Sequence, residues 1–398
     1  MKIHRGCDRL LREAQILAGR AYGLLAHGAS ITAECRPLHL ALAASPAGPP
    51  AALFGPEHGY WGVEQDMVAT ADARDPWTGV PVVSLYGDSA DSLRPRPEAF
   101  AGLELLLIDL QDVGCRYYTY AATAVWAAEV ALAAGLEVWV LDRPNPLGGV
   151  VVEGGLPQGF CESFVGAFRI PVRHGLTLGE LMRLEARRRG WSREPQIRTM
   201  EGWRRDSEWS GAWIAPSPNM PTLTTAVVYP GSCLVEATAL SEGRGTTRPF
   251  QLIGAPGIDP PALVAALGRR AHELAGVRLV PTYFRPQFHK HRDEICGGVE
   301  VVVTDPRVFP AYRCGIELLA AIRDQLGERF AWRQQAYEFV GDRPAIDLLT
   351  GGPELREALT AGGKACRDRL SEWIAGWQAD EAAFRDERRA ILLYPEVS

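Results

Sequence analysis

Short apolar runs that end at glycine, proline or a charged residue recur through the first part of the chain. Their length is that of a buried strand rather than of a helix. The predicted strands lie within residues 20–28, which include the turn after the first strand, and at residues 51–54, 81–86, 103–110 and 137–141. The run at 103–110 is almost continuously apolar, so we expect it to be covered on both faces.

Longer segments with apolar residues at helical spacing lie between these strands. They are residues 8–18, a segment around 38–42, residues 118–134 with Gly135 as the C-terminal cap, and residues 178–189. Strands that alternate with helices in this way predict an α/β protein with a doubly wound parallel sheet.

The alternation stops near residue 150, and a second unit begins at about residue 258. A chain of 398 residues is long enough for two domains. In the second unit we predict a helix at 260–274, strands near 277–284 and 297–303, and a helix at 311–326, followed by mainly helical structure.

The stretch 51–62 is the first that carries candidate chemistry. A Gly-Pro pair ends its strand, Glu57 and His58 follow directly, and Tyr60 and Trp61 come next. Ligands of open α/β sheets bind beyond the carboxyl ends of the strands. Glu57 is therefore a candidate acid or base. The alternative is that Glu57 caps a turn over which the two aromatic side chains pack.

The strand at 103–110 ends in a second cluster of polar side chains. Asp109, Gln111 and Asp112 lie at its carboxyl end, and Arg116 follows among three tyrosines. Helix capping accounts for one acidic side chain of this kind but not for the whole cluster, which favours a functional role.

The loop at 141–149 follows the last predicted strand of the sheet. Its two prolines hold the backbone, so that Asp142, Arg143 and Asn145 are presented rigidly. The alternative is that Asp142 forms an ion pair that braces the loop. Two isolated residues, His174 and Asn219, are weaker candidates.

Residues 240–250 form a glycine-rich loop with two arginines. The glycines on either side of Arg244 allow a close approach of the backbone to a ligand. Arg244 and Arg248 carry planar groups suited to a carboxylate or a phosphate. The loop lacks the GxxxxGK[ST] pattern, and no GxGxxG follows the first strand. We therefore predict no nucleotide cofactor.

Composition narrows the class of protein. A net charge of -6 argues against a dedicated nucleic-acid-binding protein. The eight cysteines are scattered without a CxxC pair, so we predict neither a zinc site nor a disulfide framework and expect a reducing compartment. The N-terminus has no apolar leader, and no apolar run is long enough to span a membrane. We expect a soluble cytoplasmic protein.

Eight sequence blocks occur in an order that resembles a known family. They are GPEHG at 55–59, DLQDVG at 109–114, RYYTY at 116–120, LDRPNP at 141–146, PVRHG at 171–175, PSPNMPT at 216–222, YPG at 229–231 and LSEGRGTTRP at 240–249. Together they resemble the exo-β-N-acetylmuramidases of the NamZ type. The likeness runs from about residue 20 to the C-terminus.

The resemblance implies a Rossmann-like domain, here residues 1–257, joined to a smaller α+β domain, residues 258–398, with the active site in the cleft between them. It implies an exo-acting glycoside hydrolase that releases N-acetylmuramic acid (MurNAc) from the non-reducing end of fragments that also contain N-acetylglucosamine (GlcNAc). The family's catalytic carboxylate falls on Glu57. The chain has Ala26 and His27 where members of the family commonly have Asn, so ligand contacts near His27 are not carried over.

Glycoside hydrolysis typically uses two carboxyl groups around the scissile bond. Glu57 is the predicted proton donor, with aromatic cover from Tyr60 and Trp61 keeping it protonated. We favour Asp112 as its partner, because we expect the strand before Asp112 to neighbour the strand before Glu57. The other candidates for the partner are Asp142 and Glu242. Participation of the substrate's own acetamido group is a further alternative.

The predicted substrate-binding residues lie in the same blocks and at the same strand ends. They are His58, Gln111, Arg116, Tyr117, Arg143, Asn145, His174, Asn219, Glu242 and Arg244. MurNAc differs from GlcNAc by a lactyl ether that adds a carboxylate, and Arg244 is the preferred partner for it, with Arg116 and Arg143 as reserves. The alternative is that Arg244 braces the glycine-rich loop against Glu242.

Two other classes of function compete with the hydrolase. A non-catalytic protein that binds muropeptides needs the aromatic residues and arginines of these blocks but not the carboxylates, which are all present here. An oxidoreductase that uses the Rossmann-like half is disfavoured by the missing glycine fingerprint. For both the hydrolase and the muropeptide-binding protein, the predicted partner is a small MurNAc-containing saccharide.

Overall fold

The computed structural model describes residues 3–65, 67–268 and 274–396, and in these residues seven strands form one sheet. They are β1 (Tyr22–Ala26), β2 (Ala52–Gly55), β3 (Ala73–Arg74), β4 (Pro81–Ser84), β5 (Leu105–Asp109), β6 (Glu137–Leu141) and β7 (Gln196–Arg198). The order across the sheet is β3-β4-β2-β1-β5-β6-β7, and only β3 and β4 pair antiparallel. The predicted α/β class with a mostly parallel sheet is confirmed.

The helices agree closely with the predicted ones. The described α-helices are α1 (Gly6–Arg12), α2 (Leu38–Ala43), α3 (Tyr120–Ala133), α4 (Leu178–Arg188), α5 (Leu223–Ser232), α6 (Pro260–Gly268), α7 (Ala311–Leu326), α8 (Ala345–Thr350), α9 (Glu354–Ala361) and α10 (Gly363–Arg389). Residues 269–273 of the helix predicted at 260–274 lie outside the described residues. No helix in the described part of the chain has the length and apolar character to cross a membrane.

Helices cover both faces of the large sheet. Along β5, Leu105 and Leu107 pack on the face shared with α1 and α2, whereas Leu106 and Ile108 pack on the face shared with α3. Because side chains alternate along a strand, a strand that is apolar at every position needs cover on both sides. The continuous apolar run therefore gives the doubly wound arrangement.

Three local predictions differ from the structure. The helix predicted at 8–18 ends at Arg12 and continues only as a 3-10 turn, Ala14–Leu17. Short β3 and β7 were not predicted, because two or three residues carry no periodic signal. Helix α5 was not predicted either, and it contains Pro230, which is unfavourable inside a helix.

The order of the central strands corrects one expectation. Strand β1 lies between β2 and β5, so the strands that precede Glu57 and Asp112 are not neighbours. The chain moves from β1 outward to β2 and β4, and then returns to the other side of β1 for β5. Such a reversal opens a crevice at the carboxyl ends of the strands on either side of it.

The second unit contains a smaller antiparallel sheet of β8 (Leu252–Ala255), β9 (Val277–Phe284) and β10 (Cys296–Val303), in the order β8-β10-β9. Helix α5 packs closely on α7 where two glycines meet. A Cβ atom on Gly231 would lie 2.0 Å from the Ala311 oxygen, and one on Gly315 would lie 2.2 Å from the Gly231 oxygen. Helix α5 packs on α7 and strand β8 pairs with β10, although both α5 and β8 precede the predicted boundary at 257/258. Residues from α5 onward therefore pack with the second unit.

Candidate active site

A pocket lies at the crevice of the large sheet, between that sheet and the second unit. It is lined by Glu57, His58, Tyr117, Tyr118, Thr119, Val165, Ser217, Asn219, Met220, Tyr229, Glu236, Arg244, Phe250, Tyr337 and Glu338. Its volume is about 40 Å³, which is room for a few water molecules. A sugar ring therefore enters only if the walls move apart.

Glu57 reaches the pocket from the turn after β2 and is 5% exposed. Its Oε2 accepts a hydrogen bond from the Thr119 hydroxyl at 2.7 Å, and its Oε1 accepts one from the Met67 N–H at 3.4 Å. Both donors are neutral. A buried carboxyl held by neutral donors can gain or lose a proton without breaking an ion pair, which suits an acid or base.

The turn that carries Glu57 is tight. A Cβ atom on Gly55 would lie 2.5 Å from the Tyr60 nitrogen, so the strand end requires glycine. His58 follows with φ of 70°, and its Nδ1 lies 3.0 Å from the Glu64 oxygen. Phe250 and Glu338 in the pocket wall also have positive φ, of 64° and 47°. Backbone in this region is costly for non-glycine residues and is concentrated at functional sites.

The aromatic cover of the pocket differs from the expected one. Tyr60 and Trp61 pack against His39 on the other side of the turn, where the Tyr60 hydroxyl lies 3.0 Å from His39 Nδ1. The aromatic side chains that do line the pocket are Tyr117, Tyr118, Tyr229, Phe250 and Tyr337. The cover thus comes from the segment after β5 and from the second half of the chain.

His27 and Tyr120 hold the loop that forms one wall of the pocket. His27 Nδ1 lies 3.0 Å from the Pro216 oxygen, and Tyr120 donates its hydroxyl to the same oxygen at 2.8 Å. The other nitrogen of His27, Nε2, accepts the Gln111 N–H at 2.9 Å. Burial lowers the pKa of His27 to about 3, and the positive charge of Arg143 adds to this effect. The imidazole is neutral and donates through Nδ1.

A cluster of charged side chains forms the opposite wall. Glu236 Oε1 lies 2.6 Å from Arg244 Nη2, and Glu236 Oε2 accepts the Tyr337 hydroxyl at 2.5 Å. Arg244 Nε lies 3.2 Å from Glu242 Oε1, and Lys290 Nζ lies 2.9 Å from Glu242 Oε2. Burial alone would raise the pKa of Glu242, but Lys290 and the other cations hold that pKa well below its usual range.

The structure brings some predicted site residues together at the pocket. Those that line it are Glu57, His58, Tyr117, Asn219 and Arg244, and Glu242 lies directly behind Arg244. Those that do not line it are Gln111, Asp112, Arg116, Asp142, Arg143, Asn145 and His174.

Asp142 and Arg143 lie at the carboxyl end of β6 but are occupied by buried contacts elsewhere. Asp142 accepts hydrogen bonds from the Thr177 hydroxyl at 2.8 Å and the Tyr394 hydroxyl at 2.6 Å. Arg143 makes a two-point ion pair with Asp109, at 2.6 and 2.7 Å. These contacts brace the loop and fasten the end of the chain to the large sheet.

Four of the five remaining predicted residues outside the pocket make hydrogen bonds to backbone segments. Arg116 donates to the Ile170 oxygen at 2.8 Å and to the Leu349 oxygen at 2.9 Å. Asn145 Nδ2 donates to the Leu176 oxygen, and His174 Nδ1 accepts the Leu176 N–H. The Gln111 amide donates to the Asp112 and Pro144 oxygens, each at 2.9 Å.

Asp112 is buried close to the pocket without lining it. Its Oδ2 accepts the Gly114 N–H at 2.6 Å, whereas its buried Oδ1 has no hydrogen-bond partner. Burial raises the pKa of Asp112 to about 7. A carboxyl in this environment is largely neutral below neutral pH.

Several pocket residues escaped sequence analysis. Thr119 and Tyr229 lie within the blocks RYYTY and YPG, so the blocks were a usable signal for them. Glu236, Tyr337 and Glu338 lie outside every block, and only the packing of the second unit brings them to Glu57. Among the described residues, no group of three or more His, Cys, Asp or Glu side chains is arranged to hold a metal ion.

The fold and the pocket define an α/β protein with three buried carboxyl groups, Glu57, Glu236 and Glu338, lining one pocket, and glycoside hydrolases typically act through a pair of such groups. Comparison with known proteins identifies the family. Residues 22–224 match the N-terminal model of "Exo-beta-N-acetylmuramidase NamZ", and residues 227–394 match its C-terminal model. The chain belongs to the exo-β-N-acetylmuramidase NamZ family and is a glycoside hydrolase. The resemblance drawn from the sequence blocks is confirmed.

Individual relatives agree with this assignment. The chain is 38% identical over 397 residues to the peptidoglycan β-N-acetylmuramidase NamZ of Bacillus subtilis, covering 99% of this chain and 92% of the relative. Two crystal structures of DUF1343 family proteins from Bacteroides fragilis have the same fold. One has a TM-score of 0.86 at 29% identity over 99% of each chain, and the other a TM-score of 0.74 at 25% identity over 100% of each chain.

We expect Asp112→Asn to stabilise the protein relative to the wild type increasingly as pH rises from about 4 to about 7. The pKa of Asp112 is raised from 3.8 to about 7, so the native state holds a proton that the unfolded chain releases. Each rise in pH within this window therefore favours unfolding of the wild type but not of the variant. Urea midpoints measured from pH 4 to pH 8 would show the difference growing and then levelling off.

Asp305→Asn is the control, because Asp305 is paired with Arg307 at the surface. Its difference from the wild type should stay flat over the same range. A flat profile for Asp112→Asn as well would contradict the burial of a protonated carboxyl at this position.

Proposed function

We propose that this chain is an exo-acting glycoside hydrolase that releases MurNAc from the non-reducing end of MurNAc-GlcNAc fragments of peptidoglycan, with Glu57 as general acid and base. The observation that carries the proposal is the setting of Glu57, a buried carboxyl held by neutral donors in a pocket that also contains Glu236. The Bacillus subtilis relative, which is named as a peptidoglycan β-N-acetylmuramidase, supports the substrate class.

In this proposal Glu57 gives its proton to the glycosidic oxygen as the bond to the leaving sugar breaks. Positive charge then develops on the ring carbon that the bond leaves. The proton on Glu57 is replaced when Glu57, now ionised, takes one from the incoming water. One carboxyl group thereby acts in both directions.

The second carboxyl group is the one that stabilises the developing positive charge, and we assign this role to Glu236. The sequence left Asp112, Asp142 and Glu242 as alternatives, and none of these three lines the pocket. Glu236 and Glu338 do line it, and we prefer Glu236 because its carboxylate makes a charge-assisted contact with Arg244 at 2.6 Å.

Incubating the purified protein with a MurNAc-GlcNAc disaccharide should give the two free sugars, identified by mass. Glu57→Gln should lower the rate about 10²–10⁴-fold, because an amide cannot donate the proton. The variant should keep its fold, since the Gln oxygen can still accept the Thr119 hydroxyl.

Glu98→Gln is the matched control, because Glu98 is exposed and outside the pocket. If Glu57→Gln retained more than half of the activity, Glu57 would not be the acid. Tight binding of the disaccharide by the wild type without any cleavage would instead favour a muropeptide-binding protein.

Arg244→Ala should destabilise the fold and lower activity without changing selectivity. Arg244 lies between Glu236 and Glu242, which balance its charge and favour the bracing role over recognition of the lactyl carboxylate. Removing one partner of a buried ion pair typically costs about 3–5 kcal/mol. Melting curves, together with rates for a MurNAc substrate and its GlcNAc counterpart, separate the two roles.

Arg248→Ala provides the comparison on the same loop, because Arg248 is exposed, pairs with Glu300 and does not line the pocket. Arg248→Ala should leave both the melting temperature and the ratio of MurNAc to GlcNAc rates unchanged. A fall in the MurNAc-to-GlcNAc ratio for Arg244→Ala at an unchanged melting temperature would restore Arg244 as the residue that recognises the carboxylate.

A further inference from the structure

A second cavity lies beside the Glu57 pocket, and no acidic side chain of the described residues lines it. Its volume is about 530 Å³, and its walls include His289, Lys290, His291 and Arg333 beside the indole of Trp332. The whole chain carries a net charge of -6, whereas the permanently charged side chains among the described residues of this lining, Lys290 and Arg333, are both positive. A concave wall of this kind concentrates anionic ligands.

Arg333 has no acidic partner in the described part of the chain. Its Nη2 lies 3.5 Å from Met67 Sδ and 3.4 Å from the Ala336 oxygen, and its buried Nε has no hydrogen-bond partner. Lys290 differs, because Glu242 pairs with it at 2.9 Å. Burying an N–H group without a hydrogen-bond partner costs free energy. An anion that accepted a hydrogen bond from the guanidinium of Arg333 would remove this cost.

A single layer of side chains separates this cavity from the Glu57 pocket. The Arg333 guanidinium lies 5.4 Å from the ring centroid of Tyr337, and Tyr337 lines the pocket. Met67, which touches Arg333, also donates its N–H to Glu57 at 3.4 Å. Because a sugar ring enters the pocket only if its walls move apart, a group attached to that sugar by a short tether reaches the cavity when Tyr337 and Met67 move with those walls.

We propose that this cavity binds the carboxylates carried on the lactyl substituent of the substrate, with Arg333 as their partner. The inference rests on the proposed function, since it names which part of a muramyl substrate the cavity takes. The lactyl carboxyl is either free or amide-linked to a short acidic peptide, and both forms present carboxylates. Arg333 suits them because its planar group can contact both oxygens of a carboxylate. Arg244 is already balanced by two glutamates.

Three disaccharide ligands test the proposal. The first has a free lactyl carboxylate, the second has the lactyl group amide-linked to an Ala-Glu dipeptide, and the third has an uncharged lactyl methylamide. Their dissociation constants are measured by calorimetry on the full chain with Glu57→Gln, with and without Arg333→Ala. Loss of a charge-assisted contact should weaken binding of a charged ligand about tenfold or more and leave the methylamide unchanged.

The pattern among the ligands identifies the source of the carboxylate. Weakening of the first ligand alone assigns the cavity to the free lactyl group, and weakening of the second alone assigns it to the peptide. Arg333→Lys, which keeps the charge, should restore part of the affinity. Arg292→Ala, an equal loss of charge at an exposed residue outside the cavity, should change nothing.

Two results would overturn the proposal. Equal weakening of all three ligands would mean that Arg333 acts only by positioning Met67 and Glu57, and no weakening would mean that the cavity binds no part of the substrate. The dissociation constants are measured by calorimetry and do not depend on whether the protein cleaves the ligand. A wild-type protein that cleaves none of the ligands would refute the proposed hydrolysis, while the calorimetry would still decide whether the cavity binds carboxylates.

Discussion

The geometry of the pocket depends on one backbone oxygen, that of Pro216. It accepts hydrogen bonds from His27 at the end of β1 and from Tyr120 at the start of α3. The loop that carries Asn219 is thereby tied to two elements of the large sheet layer. His27 can do this only as a neutral imidazole, because its second nitrogen must accept the Gln111 N–H. Burial lowers the pKa of His27 to about 3, so this arrangement persists well into the acidic range.

The two walls of the pocket differ in electrostatics because they come from different parts of the chain. Glu57 follows a strand of the large sheet and meets a hydroxyl and an amide, both neutral. Glu236 follows α5 and meets Arg244 and Tyr337, which are supplied by the later part of the chain. The fold therefore places a carboxyl group held by neutral donors in the same pocket as one paired with a cation, and the proposed roles of Glu57 and Glu236 use this difference.

Sequence alone predicted what depends on local patterns. The apolar runs gave the strands, and the strand end placed Glu57 at the crevice. The same reasoning pointed to Asp142 and Arg143, which also follow a strand. Their partners, Tyr394 and Asp109, are distant in sequence, so nothing local distinguishes a residue that braces a loop from one that meets a ligand. Glu236 and Tyr337 were missed for the same reason: the contact between them joins residues 101 positions apart.

Burial of charge does not by itself mark a functional site in this protein. The Asp109–Arg143 pair is fully buried and does not line the Glu57 pocket, and it braces the loop after β6. The cluster of Glu236, Glu242 and Arg244 is buried as well, and apolar residues of similar volume are often as stable as such clusters. The difference is that Glu236 and Arg244 face the pocket. Stability alone does not require charges at that wall, so the proposed role of Glu236 in the reaction accounts for them.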